Sequence, residues 1–341
     1  MPRGGNSGSI PGDTTSDPTA PSNVPGPYFK GMVLDLTVNW TREKPSEEHV
    51  LMTITEAFDV SMSPAVEVQW LSSSGETRTA VLKLFDRRYG SRGHLHEYGH
   101  NPGVEACWQK YVQSGQAPGL FKYIEKADWE KGKGVWDICP FEVDEDTADT
   151  WETIAKKEGR LQYRALENWR NEIRAYEHLE GLQGKCVPLF FGTTSFSYTP
   201  AGSDPQYFQV GGILIQRISG FILGDLLDLM EASPDVDYQG LCQRAVEVAE
   251  EVNECGVINY DCKPRNMIVQ TPTMRPFMID FAQCSFREDF ASDDEYNQTV
   301  EYWGNPIGFG GVVATRLNRV LKLGITIQYG PWSGNRVSEC R

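Results

Sequence analysis

GVINYDCKPRNMIV at 256–269, followed by FMIDFAQ at 277–283, decides how this chain is read. Two short apolar runs, NMIVQ and PFMIDF, flank a Pro-containing turn, which is the pattern of a small hairpin. A hairpin brings the ends of its strands together. Asp261 and Asn266 on the loop before it therefore converge with Asp280 on the turn after it, with Lys263 beside them. Such oxygen ligands suit Mg²⁺, a hard octahedral cation usually shared between one or two carboxylates and the phosphates of a substrate. Asp and Asn taken singly are common turn formers, but a turn does not require the whole set.

Outward from this stretch, the sequence has the pattern of a mixed α+β protein with two lobes. Residues 1–27 are Gly, Pro, Ser, Thr and Asn with little to bury, and are expected to form a disordered tail. From about 28 to 88, VLDLTVNW, HVLMTITEAF, AVEVQWL and TAVLKLFDRR alternate apolar and polar residues between turn signals, which predicts a meander of antiparallel strands. Residues 89–165 are Gly-punctuated and then charged, with Trp108, Trp129, Trp136 and Trp151, and are expected to form an insertion of short helices and loops with a local core. Leu166, Trp169, Ile173, Tyr176 and Leu179 recur at three and four residues and predict an amphipathic helix over 162–180. VPLFFGT and GGILIQRI read as strands, and 223–232 and 238–256 as helices, the second stopped by Gly256. The expected division is 28–218 for the first lobe, insertion included, and 219–341 for the second.

Composition narrows the function classes. Apolar residues make up 40% of the 341, enough for a buried core, and the formal net charge of −15 repels a phosphate backbone, so nucleic acid is not an expected partner. The best apolar run, 211–227, carries Gln216, Arg217 and Asp225 and falls short of the roughly 20 residues of a spanning helix. No membrane partner is expected. Eight cysteines lie scattered without a CxxC pair and read as reduced thiols. The N-terminus lacks the apolar segment of a secretory signal, which leads to cytoplasm or nucleus as the expected location.

The stretch Asp261 to Asn266 resembles the catalytic loop HRDxKPxN of protein kinases, and Asp280-Phe281-Ala282 resembles their DFG turn. AVLKLFDRR then puts Lys83 at the place of the family's VAIK lysine, and NEIRAYEHL puts Glu172 at that of the paired glutamate of its αC helix. GILIQRISGFILGD, 212–225, is similar to the strand and hinge between the lobes, with Ile215 as gatekeeper and the backbone of Gln216 and Ile218 facing adenine. The resemblance runs over roughly 50–285, the insertion excepted, and is to kinase-like domains of the sort found in fungi. It implies a bilobal fold with an antiparallel N-lobe sheet, a large insertion before the αC helix and a short helical C-lobe. It also implies roles. Asp261 would accept or orient the substrate hydroxyl, Lys263 would steady the transferring phosphoryl group, and Asn266 and Asp280 would hold Mg²⁺. Lys83, oriented by Glu172, would bind the α and β phosphates of ATP. The Asp-x-Lys spacing is that of protein kinases, where small-molecule phosphotransferases of the aminoglycoside type usually carry Asp-x-His.

The departures from the family define the alternatives. EAFDVSMSPAVEVQW, before Lys83, has no glycine with which bare backbone could approach phosphates. Asn259-Tyr260 replaces the His-Arg pair before Asp261, so control by activation-loop phosphorylation is not expected. Ala282 replaces the DFG glycine. The 61 residues after Asp280 contain no APE motif, and the peptide-binding helical subdomain is expected to be truncated or rebuilt, as in RIO-type kinases. Two readings follow: an ATP- and Mg²⁺-dependent phosphotransferase acting on a Ser or Thr hydroxyl, or a pseudokinase or RIO-like ATPase switch that binds protein partners. HLHEYGH at 94–100 is a weaker candidate for Zn²⁺, without an HExxH spacing. Cys262 and Cys284 flank the site as candidates for oxidation, with small packing residues as the commoner role.

Overall fold

The structure, a computed structural model, describes residues 28–41, 46–58, 63–90, 99–131, 150–200, 202–229 and 236–330. The 1–27 tail, the acidic run 143–149, Trp136, and His94, His96 and Glu97 of the HLHEYGH segment lie outside the described residues.

The predicted meander is present as β1 (Val33–Trp40), β2 (Glu47–Ala57), β3 (Ala65–Leu71) and β4 (Thr77–Phe85), each antiparallel to the next. β4 pairs with β6 (Gln209–Ile215) and β6 with β5 (Phe190–Ser197). The sequence gives no sign of the last pairing, in which Thr37–Trp40 of β1 lie against Ser195–Gly192 of β5 and close a barrel. Closure satisfies the backbone groups that an open edge strand would leave to solvent. Period-two alternation fills the interior with Leu34, Leu36, Val38, Met52, Ile54, Val66, Val68, Leu82 and Leu84, together with Val210 and Leu214. At about 1.5–3 kcal/mol for each large aliphatic side chain, this set is the main stabilising contribution to the barrel.

The same alternation sends Val81, Lys83 and Phe85 to the outer face of β4, against α3 (Trp151–His178). That helix is capped by Thr150, whose hydroxyl accepts from the Thr153 N–H, and it starts at Trp151 rather than 162. Its first half escaped the apolar pattern because half of what it buries is polar: Glu158, Arg160 and Gln162 lie among Ala155, Gly159 and Leu161. Residues 151–165 therefore belong to the helix and not to a loop-rich insertion. α1 (Pro102–Gln113) and α2 (Ala117–Lys131) do form short helices, and with α3 they enclose a core around fully buried Trp108. Gly159 is small for that reason: a Cβ there would lie 2.5 Å from Leu120 Cδ2.

Beyond β6, a short sheet is ordered β10-β9-β7, with β7 (Gly220–Ile222), β9 (Met267–Gln270) and β10 (Arg275–Met278). The predicted hairpin is the β9–β10 pair. The helix expected over 223–232 is a 3-10 turn at 223–225 followed by α4 (Leu226–Leu229), and residues 230–235 lie outside the described set. α5 (Tyr238–Glu254) ends at Gly256, whose φ of 82° takes the left-handed conformation expected of a stop. β8 (Val257–Asn259) pairs with β11 (Cys284–Phe286). α6 (Asp293–Trp303), one π turn at Ile307–Gly311 and α7 (Val312–Leu321) complete the order. α5 buries Leu241, Ala245, Val248, Ala249 and Val252 in a core shared with α3, the hairpin and α7. The fold is mixed α and β with antiparallel sheets, and no described helix is long and apolar enough to cross a membrane.

Candidate functional site

Lys83, Glu172 and Asp280 come from three different elements and meet. α3 presents Glu172 one turn beyond Trp169, whose indole donates to Gly212 O at 2.9 Å and lies over β6. A Cβ at Gly211 would fall 2.2 Å from that ring, so glycine here lets the helix approach the strand. Asp280 follows β10 with φ 64°, a left-handed conformation that Asp tolerates better than most residues. Lys83 Nζ lies 2.5 Å from Glu172 Oε2 and 2.7 Å from Asp280 Oδ1.

One ammonium thus serves two carboxylates. Burial works against the Lys83 charge, but Asp280 and Glu172 outweigh it and hold the ammonium well above its ordinary range. Burial pushes the Glu172 carboxyl up to about 7; Lys83 opposes that rise and Asp280 adds to it. The folded value is above the unfolded 4.5, so this group favours folding most below the unfolded value, and its contribution is lost as pH rises through about 7. Glu172→Gln removes that titration. Thermal unfolding between about pH 5 and 8 should then show a shallower decline with pH in the variant than in the parent; parallel profiles would reject the assignment.

The second group centres on Asp261, which is buried. Its carboxylate receives Lys263 Nζ at 2.6 Å, Arg265 Nη2 at 2.9 Å and Asn266 Nδ2 at 2.9 Å, while Asn266 Nδ2 also donates to Asp261 O at 2.9 Å. Burial alone would push the Asp261 carboxyl up, but Lys263, Asn266 and Arg265 together hold it below the usual range. With Nδ2 committed to Asp261, the Asn266 amide offers its Oδ1 to a cation. Asn266 O accepts from Ile279 N–H at 2.9 Å, which ties the loop to the residue before Asp280.

Asn259 joins the two groups. Its Oδ1 accepts from Asp261 N–H at 2.8 Å and its Nδ2 donates to Asp280 O at 2.9 Å. The sequence reads this position as a histidine lost from the family pattern, whereas the amide spans both halves of the site. Tyr260 points away, its hydroxyl on Ser285 Oγ at 2.8 Å and its ring against Trp303. Phe281 is fully buried edge-on to Tyr176, which stacks on Phe190, so one aromatic column links the turn, α3 and β5. The left-handed residue of that turn is Asp280, which leaves Ala282 unstrained.

Ile215, the last residue of β6, and Ile218, on the connection after it, are both buried. The Gln216 N–H is bonded to Leu189 O at 2.8 Å and its side-chain Oε1 accepts from Leu189 N–H, so of its main-chain groups only the carbonyl is open to a ligand. Burial raises the thiols of Cys262 and Cys284 far above their ordinary value, and Cys262 Sγ, with one S–H to donate, lies within hydrogen-bonding distance of both Asn259 O and Asn305 Oδ1. Neither is a thiolate open to oxidation. His100 lies 3.6 Å from Glu105, and among the described residues no three His, Cys, Asp or Glu side chains are grouped to hold a metal by themselves. The six described cysteines are free thiols. No protein-family model matches the chain, and a search of curated proteins returns no match.

Proposed function

We propose that the chain is a bilobal, protein-kinase-like phosphotransferase that uses ATP and Mg²⁺ and transfers phosphate to a Ser or Thr hydroxyl. The observation that carries this reading is the meeting of Lys83, Glu172 and Asp280 from a strand, a helix and a turn, next to Asp261 and Asn266. Asn266 Oδ1 and the Asp280 carboxylate suit a cation that takes its other ligands from phosphate and water, and their pairing needs no third side chain. Mg²⁺ at that place would neutralise charge developing on the phosphoryl oxygens.

The chain's own residues do the rest. Lys83 has two carboxylate partners, and when Asp280 turns to a cation it keeps Glu172 and meets phosphate with the freed side of its ammonium. Asp261 is held ionised and accepts a hydrogen bond from the hydroxyl, orienting it more than deprotonating it, because a lowered pKa makes a weak base. That is adequate for a loose transition state in which positioning and charge supply most of the acceleration. Lys263 is more than half exposed and free to leave Asp261 for the transferring group. The Gln216 carbonyl and the Ile218 backbone are the groups this reading offers to adenine.

The opposing reading, a pseudokinase that binds protein partners, is favoured by one specific observation: the charges of Lys83 and Asp261 are satisfied within the chain. Thermal unfolding with ATP alone, Mg²⁺ alone and both together separates the two. A stabilisation that needs both is expected, since a ligand selective for the native state raises its apparent stability by mass action. No shift at saturating concentrations would turn the argument to the pseudokinase.

A further inference from the structure

The rim beside Asp261 is basic on a chain whose formal net charge is −15. Lys263 and Arg265 are both more than half exposed where they meet Asp261. Gly224 lies against the Pro264–Asn266 turn of the Asp261 loop, where a Cβ would fall 3.6 Å from Arg265 N and 3.7 Å from Pro264 C, and Arg316 of α7 donates to Gly224 O at 3.1 Å. Arg316, Arg319 and Lys322 are exposed on α7 and its cap, a stretch with no Asp or Glu from Val312 to Lys322. Between the loop and the helix lies a small apolar cleft lined by Leu223, Leu227, Pro264, Val312 and Leu317, with Arg316 at its edge. Asp225 and Asp228, beside and within α4, are exposed.

We infer that the acceptor is an acidic polypeptide: its Ser or Thr reaches Asp261, a neighbouring apolar side chain enters the cleft, and its Asp and Glu residues lie along Arg316, Arg319 and Lys322. This rests on the phosphotransfer reading above and names the substrate class of that site. Asp225 and Asp228 repel acidic residues from the α4 side and so direct the chain along α7. A polypeptide reaches the buried Asp261 and fills a cleft, whereas a flat anionic lipid surface does neither. Electrostatic complementarity of this kind selects partners and speeds encounter, and is weakened by salt.

The test is fluorescence anisotropy of the full chain with a labelled, Glu-rich Ser peptide that carries one Leu, against the same peptide with Lys for Glu and against phosphatidylserine vesicles. Only the acidic peptide should bind, and Arg316→Glu and Arg319→Glu should each weaken it roughly tenfold at low salt with the ATP-dependent thermal shift unchanged. Arg319 makes no contact with the catalytic loop, so its variant guards against a folding effect of the first. Equal binding of the basic peptide, indifference to both substitutions, or binding of vesicles in place of peptide would each overturn the proposal. If the acidic peptide binds as described but gains no phosphate from ATP and Mg²⁺, the surface stands and the phosphotransfer reading fails.

Discussion

Asp261→Ala is expected to lower phosphoryl transfer by about 10²-fold or more, the scale on which lost positioning of a reacting group slows a reaction, while the thermal shift with ATP and Mg²⁺ persists. The two effects separate because of how Asn266 is held. Of the two bonds from Asn266 Nδ2, the one to Asp261 O survives removal of the side chain, so the amide keeps its aim even though the bond to the carboxylate is gone. Lys263 and Arg265 lose their common partner but remain as free cations. Because the Asp261 pKa is lowered, the parent should show no acid limb from this group above the ordinary carboxylate range. Initial-rate measurements across pH check both points. Undiminished transfer in the variant would remove Asp261 from the mechanism.

Residues whose chemistry repeats a local pattern were legible in the sequence. The spacing of Asp261, Lys263 and Asn266, the hairpin that sets Asp280 opposite them, and the alternation that turns Lys83 away from the barrel interior all follow from short-range rules. What depended on partners far along the chain was not legible. β1 carries nothing that names β5 as its neighbour, since any half-buried strand with open backbone groups would serve. Asn259 read as a loss because its use as a bridge is set by where Asp280 O ends up, 21 residues later. The first half of α3 was hidden for a different reason: it buries ion pairs, and a search for apolar periodicity passes over charged residues that are buried together.

Those ion pairs carry the second large effect. Arg87 lies two residues beyond β4, the strand that holds Lys83, and its guanidinium is fully buried between Glu158 of α3 and Glu105 of α1. Arg87 Nη1 pairs with Glu158, itself wholly buried, and Nη2 lies 2.6 Å from Glu105, with Trp108 below the guanidinium. Arg87→Ala takes the cation away from a carboxylate that cannot reach water, and breaking a buried pair by removing one partner costs about 3–5 kcal/mol. A fall in Tm on the order of 10 °C is the expected calorimetric result for a chain of this size. The loss comes from leaving the buried Glu158 carboxylate without the Arg87 cation more than from the pair itself, so a double variant, Arg87→Met with Glu158→Leu, should recover a large part of it. The same clamp fixes α3 against β4, and with it the distance between Glu172 and Lys83. A single variant that survives at low temperature should therefore show a reduced ATP- and Mg²⁺-dependent shift, and the double variant, which restores packing between the same elements, a larger one. A Tm within about 2 °C of the parent in Arg87→Ala, a change under roughly 1 kcal/mol, would show that helix and strand are held together by the apolar contacts around Phe85, Ala175 and Tyr176 instead.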